Sequence, residues 1–201
     1  KPSGQVLVYG DYYKDEMPWV CEPFDVPDHW QVVSSIDYGS KFAYLKAAID
    51  PRDETWYFFY EYFTEIDKSL ETHARIIKES PLFSGKELCY SDPSGRQAIL
   101  EMRKYGVPTQ PANNDVYAGI NVVKEMMTRR KTTSLPKIRI FNWCKRLREE
   151  LGSLYCYKLE KDGQPNKDVI VKKDDHMSDC LRYMVYSFRT IQSSYRMRDI
   201  K

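Results

Sequence analysis

The sequence predicts an α/β domain built on a mixed sheet: an antiparallel meander first, parallel strands after it, helices on the faces and an added β-hairpin. Three observations carry this. Residues 31–63 hold three runs rich in β-branched, aromatic and alternating residues, separated by turn chemistry. From residue 67 onward, stretches with helical apolar spacing alternate with short apolar runs. Neither an internal repeat nor a low-complexity tract interrupts the 201 residues, which suffice for one well-packed core.

Residues 5–10 (QVLVYG) read as a short strand, and the acidic, proline-rich stretch up to residue 30 as an irregular lead-in. Residues 31–39 (QVVSSIDYG) form the first core strand, ending in Asp37 and a glycine turn. Residues 41–50 and 54–63 continue the meander across an Asp-Pro-Arg-Asp turn. Two-residue alternation among Tyr57, Phe58, Phe59, Tyr60 and Tyr62 marks a strand with one core face rather than a base-stacking platform. A helix is expected over 67–80, stopping before Pro81, then a strand over 86–92 ending in Asp92. A helix over 94–106 places Gly106 just past its end. Asp115 caps a helix over 115–130, a strand follows over 137–141, and a helix over 142–153 has Gly152 at its close. Asp162-Gly163 turns a hairpin over 154–172.

The last helix opens with "VIVKKDDHMSDCLRYMVYSF" (169–188). Met177, Cys180, Leu181, Met184, Val185 and Phe188 fall at the spacing of a core-facing stripe. Asp174 occupies the expected N-cap position, where the helix dipole favours an acid. Asp179 sits one turn in, beside the stripe, on the same flank as Asp175 and His176. A carboxylate there needs a partner, and a metal ion is one candidate. Arg182, on the same helix, is expected to pair with an acid.

Bulk properties narrow the function classes. No run of about 18 apolar residues is present, so nothing spans a membrane as a helix. Five scattered cysteines without a C-x-x-C argue against a zinc site or disulfide frame and favour a reducing compartment. The abrupt start at Lys1-Pro2-Ser3-Gly4 reads as a piece of a longer chain. The net charge of +2 hides an asymmetry: 12 Lys/Arg against 19 Asp/Glu over 1–123, but 19 against 10 over 124–201. A basic half on a near-neutral chain suits a polyanion bound on one face.

Asp37, Asp92 and Asp179 each fall at the end or beginning of an element, the usual place for ligand-binding groups in α/β sheets. With this order of elements, the motifs "IDYGS" (36–40), "YSDPSG" (90–95), "AGINVVKEMM" (118–127), "KIRIFNWCKRLREELGSLYCY" (137–157) and "KKDDHMSDCLRY" (172–183) resemble the nuclease domain of phage DNA-packaging terminase large subunits, within the ribonuclease H-like superfamily. The match runs from about Gln31 to Phe188, with 1–30 as lead-in and 189–201 as a tail; the "DDHMSDCLRY" block is its specific part. The family joins a packaging ATPase to a metal-dependent endonuclease. No G-x-x-x-x-G-K-[ST] occurs, since Ser80 stands where the first glycine would precede Gly85-Lys86, so only the nuclease part is expected here.

The resemblance implies two divalent ions, Mg²⁺ or Mn²⁺, with Asp37 bridging both and Asp92 and Asp179 holding one each. His176 and Asp175 are further candidate ligands. It also implies double-stranded viral DNA as substrate, cut in the cytoplasm of the infected bacterial host, and the terminase ATPase domain, small terminase subunit and portal protein as partners. Arg129, Arg130, Lys131, Lys145, Arg146, Lys172 and Lys173 are the expected contacts to the phosphate backbone, with Arg148 beside them. The same acids would equally serve a Holliday-junction resolvase or integrase-type nuclease, and a non-catalytic domain of a packaging motor is the alternative outside enzymes.

Overall fold

The computed structural model describes residues 6–39 and 41–198, with side chains to residue 192. The first residue of the expected opening strand, Ser40 and the last residues of the expected tail lie outside the described residues. The meander is formed by β2 (Gln31–Asp37), β3 (Phe42–Ile49) and β4 (Trp56–Thr64), paired antiparallel. β5 (Leu88–Ser91) runs parallel to β2, and β6 (Thr109–Pro111) parallel to β5. On the other edge, β7 (Ile138–Phe141) is parallel to β4, and β1 (Val20–Cys21) parallel to β7. The order across the sheet is β1-β7-β4-β3-β2-β5-β6. β8 (Tyr157–Leu159) and β9 (Pro165–Ile170) form a separate hairpin, with Gly163 at φ +81° in its turn.

Helices cover both faces. α1 (Leu70–Lys78) and α2 (Arg96–Lys104) pack Ala74, Ile77 and Met102 with Ile36, Tyr44 and Cys89 of the sheet. α3 (Val116–Met127) and α5 (His176–Arg198) lie on the opposite face, where Ile120, Val123, Met177 and Leu181 meet Val33, Leu45 and Tyr90. All six stripe residues of α5 are buried. β3 is buried along its whole length because it is central and covered on both faces. The alternation in β4 breaks where Lys46 pairs with Tyr60 but Ala47 pairs with Phe58. Phe59 is the extra residue of this bulge, so Phe58 and Phe59 are both buried.

Several local expectations are corrected. The strand expected over 5–10 is reduced to one bridge, Leu7 to Cys156, followed by turns. β1 and β6 were not legible, being short edge strands whose pairing is entirely long-range. The helix expected over 142–153 is α4 (Lys145–Glu149) followed by a π-turn (Glu150–Leu154) that contains Gly152. α5 continues to Arg198 through the expected tail, which has no Gly or Pro to stop it. Asp115 does cap α3, accepting from the Ala118 amide at 2.9 Å, and Gly106 past α2 has φ +87°. All five cysteines are free and buried. Among the described residues no helix is long and apolar enough to cross a membrane.

Candidate functional site

The period of two in a strand decides which side chains meet. Along β2, Val33, Ser35 and Asp37 point to the α5 face, while Ile36 packs with α1 and α2. Ile36 is level with Ser91 on the parallel neighbour β5, so Asp37 and Asp92 leave adjacent strands side by side. Tyr90 lies on the α5 face, and two residues on the alternation returns Asp92 to it. Ser35 Oγ donates to the Cys180 carbonyl at 2.8 Å, which pins α5 across this strand end. The first turn of α5 then brings His176 and Asp179 over the strand acids. Tyr183, one turn further and buried, has its hydroxyl pKa raised by burial, and the negative Asp179, Asp37 and Asp92 add to that.

Within this cluster the protein's own cations hold the acids. His176 Nδ1 lies 2.7 Å from Asp37 Oδ2. Lys172 Nζ is 2.9 Å from Asp179 Oδ2 and 3.1 Å from Asp175 Oδ2. Apart from this ion pair, the buried Asp175 Oδ2 has no hydrogen-bond partner. The other oxygen of Asp179 is 3.1 Å from Arg182 Nη2 and 3.4 Å from the Tyr155 hydroxyl. Among the described residues no three His, Cys, Asp or Glu side chains converge as a ready-made metal cage.

Electrostatics follow from burial. Asp37 is pushed up to about 6, chiefly by burial; the His176 bond opposes this, and the negative Asp179 and Asp175 add to it. His176 is raised above the usual imidazole value, first by its bond to Asp37, against the cost of burial. Each of the two thus favours the charged form of the other. Glu150, in the π-turn, is fully buried and pushed up to about 7 by that burial.

Sequence reasoning missed three parts of the site. Asp174 is not the cap of α5: its backbone is left-handed (φ 56°), and its carboxylate pairs with Lys41 at 2.9 Å and Arg146 at 3.0 Å. Glu150 instead accepts from the Ser178 amide at 2.9 Å. Gly119 is the third: a Cβ there would come within 2.7 Å of Arg182 Cγ, so a glycine inside α3 gives the Arg182 side chain its path to Asp179 and Asn114. A mid-helix glycine, costly by itself, was the available signal.

The basic residues divide between two ends of the sheet. Lys145 and Arg146 follow the C-terminal end of β7, and Lys172 and Lys173 precede α5, so all four stand at the acidic end. Arg129, Arg130 and Lys131 precede β7, at the other end of β4, on the order of 25 Å away along the strand. Arg130 there binds the Leu135 carbonyl and Asp53, and Arg129 lies over the Trp19 ring at 4.7 Å. Arg146 pairs with Glu149, Glu150 and Asp174, while Arg148 pairs with Asp15. Lys131, Lys145 and Lys173 are exposed.

A three-layer α/β/α sandwich on this mixed sheet, antiparallel first and then parallel, is consistent with the ribonuclease H-like fold. More particularly, the fold is that of large-terminase nuclease domains. The nuclease domain of the P22 large terminase superposes with TM-score 0.70 at 20% identity, over 93% of this chain and 94% of that one. A large terminase from a thermophilic bacteriophage gives 0.74 at 22% identity, over 92% of this chain but only 46% of its own length. The chain thus spans about half of that protein. The nuclease domain of bacteriophage SPP1 g2p, a large terminase solved with bound Mn, gives 0.61 at 16% identity over 82% of this chain and 93% of that one. No protein-family model and no curated protein sequence matches the chain.

Proposed function

We propose that this chain is the metal-dependent endonuclease domain of a phage DNA-packaging enzyme, cutting concatemeric double-stranded viral DNA. The observation that carries the reading is the Lys172 ammonium held between Asp175 and Asp179, beside the strand-end acids Asp37 and Asp92. A cation of the chain stands where hard carboxylate donors could take a divalent one. The Lys172 side chain is 62% exposed, so an incoming ion that takes over the two buried carboxylates releases its ammonium to water. The donor set therefore fits Mg²⁺ or Mn²⁺. Asp37, Asp92 and Asp179 would hold the ions, with Asp175 and His176 as further ligands; two ions there would lower the pKa of a water and offset charge at the phosphate. Asp37 would bridge them, as the resemblance implies.

The residues do the rest. Arg182 and Tyr155 fix the Asp179 carboxylate, and the Ser35 bond fixes the helix that carries it. Lys145, Lys172 and Lys173 would hold the backbone next to the scissile phosphate, with Arg146 orienting Asp174 among them. Arg129, Arg130 and Lys131 would meet the duplex further along. The ATPase domain, small terminase subunit and portal protein would be its partners, in the cytoplasm of the infected bacterial host.

The test is nicking of supercoiled plasmid in Mn²⁺ and in Mg²⁺. His176→Ala is expected to lose most Mn²⁺-supported cutting while the Mg²⁺-supported rate changes little, because imidazole suits Mn²⁺ and Mg²⁺ prefers an all-oxygen shell. Equal loss in both metals would make His176 a general catalytic or structural group. A parent chain that never cuts, in either metal, would leave only a binding module.

DNA affinity is expected to be indifferent to sequence and to fall steeply with salt. Lys145→Glu with Lys173→Glu should weaken it alike for every sequence and flatten the log–log salt slope by about 2, at roughly one unit per phosphate contact. A slope unchanged in the double variant would remove these lysines from the interface.

A further inference from the structure

α5 has an unusual cap. Asp175 directly precedes the helix, and its carbonyl accepts the first helical bond, from the Asp179 amide at 2.8 Å. An aspartate in that position ordinarily folds its own carboxylate back onto the amide three residues on. That amide belongs to Ser178, and it is taken by Glu150 Oε2 at 2.9 Å, from the π-turn after α4. Glu150 is fully buried, and its other oxygen accepts from Arg146 Nε at 3.0 Å. Arg146 in turn holds Asp174 at 3.0 Å, which orients the residue just before Asp175. A fully buried carboxylate is an expensive helix cap when an aspartate already stands at the capping position. What the arrangement gains is visible at Asp175, whose buried Oδ2 makes no hydrogen bond and faces Lys172 at 3.1 Å.

We propose that Glu150 is a positioning residue: by capping α5 from a distance, it keeps the Asp175 carboxylate turned into the site to hold a divalent cation together with Asp179. This rests on the metal-site reading above. Without Glu150, Asp175 closes onto the Ser178 amide and the site loses an oxygen donor.

The experiment is calorimetric titration of the DNA-free chain with Mn²⁺, alongside its melting temperature. Glu150→Ala is expected to weaken Mn²⁺ binding about tenfold, and Asp175→Asn by a similar factor. The double variant should be no weaker than either single one, because both changes remove the same ligand. Glu150→Gln keeps an oxygen for the Ser178 amide and should retain most of the affinity, which a loss of charge alone would not allow. If Glu150→Ala does not fold, Glu150→Asp takes its place in the cycle, since it keeps the charge and loses the reach. Parent-like affinity in the Ala or Asp variant overturns the proposal, as do losses that multiply in the double variant. A parent chain that binds no Mn²⁺ overturns the metal-site reading itself, and this proposal with it.

Discussion

Asp37→Ala is expected to lower metal-dependent nicking by about three orders of magnitude or more, since it would remove a ligand common to both ions. Asp92→Ala should do the same from the neighbouring strand. The stability of Asp37→Asn separates this from misfolding. Burial pushes the Asp37 carboxyl up to about 6, so its folded-state pKa lies above the unfolded value near 3.9. A raised carboxyl weakens the fold where it is ionised. The penalty is full above about pH 6 and gone below about pH 4. The metal-free Asn variant should therefore melt a few degrees above the parent at pH 7.5, by up to about 3 kcal/mol, and match it near pH 4. Mn²⁺ at a thousand times the parent's Kd should reverse the order, because the parent then gains about 4.1 kcal/mol, more than the penalty, and a variant that no longer binds the ion gains nothing. A variant that cuts at the parental rate would remove Asp37 from the site. One that melts lower without metal would show that the carboxylate is a structural partner of His176.

The opposite result is expected one helix turn away. Asp179 is 5% exposed and Arg182 is 1% exposed, and they face each other at 3.1 Å. Arg182→Met should cost about 3–5 kcal/mol, because it leaves a buried carboxylate with only Lys172 and Tyr155. Asp179→Asn should also destabilise, because the buried guanidinium then has only neutral side-chain acceptors at positions 179 and 114, besides abolishing cutting. Asp179→Asn combined with Arg182→Met should lose less than the two single changes together, since neither charge is then left buried and unpaired. Denaturant titration of the four proteins gives the cycle directly. Strict additivity would mean that the two side chains do not stabilise one another.

Much of this was legible in the sequence, where the signal is local. The stripe from Met177 to Phe188, the Asp115 cap, Gly106 past α2 and the Asp162-Gly163 turn all act within a few residues, and each stands as expected. The placement of Asp37 and Asp92 at strand ends was equally readable, and so was the shared flank of His176 and Asp179. The basic half of the chain was visible only as a sum. Its charges split between two ends of the sheet, and Arg130, Arg146 and Arg148 are engaged with acids of the chain itself.

The sequence by itself determined the periodicities: which residues turn inward, where helices can start, and which carboxylates stand at element ends. Tertiary structure decided what those carboxylates meet. Parallel pairing of β2 with β5 set Asp37 beside Asp92, though they are far apart in the chain. Caps came from distant strands and turns: Glu61 of β4 accepts from the Arg146 and Leu147 amides, and Glu150 accepts from Ser178. Asp174, placed by spacing at the head of α5, was drawn to Lys41 and Arg146 instead. The reason is physical. A helix amide or buried carboxylate needs a partner of the right chemistry within about 3 Å, and in a folded chain the nearest such group is set by packing, not by separation in sequence.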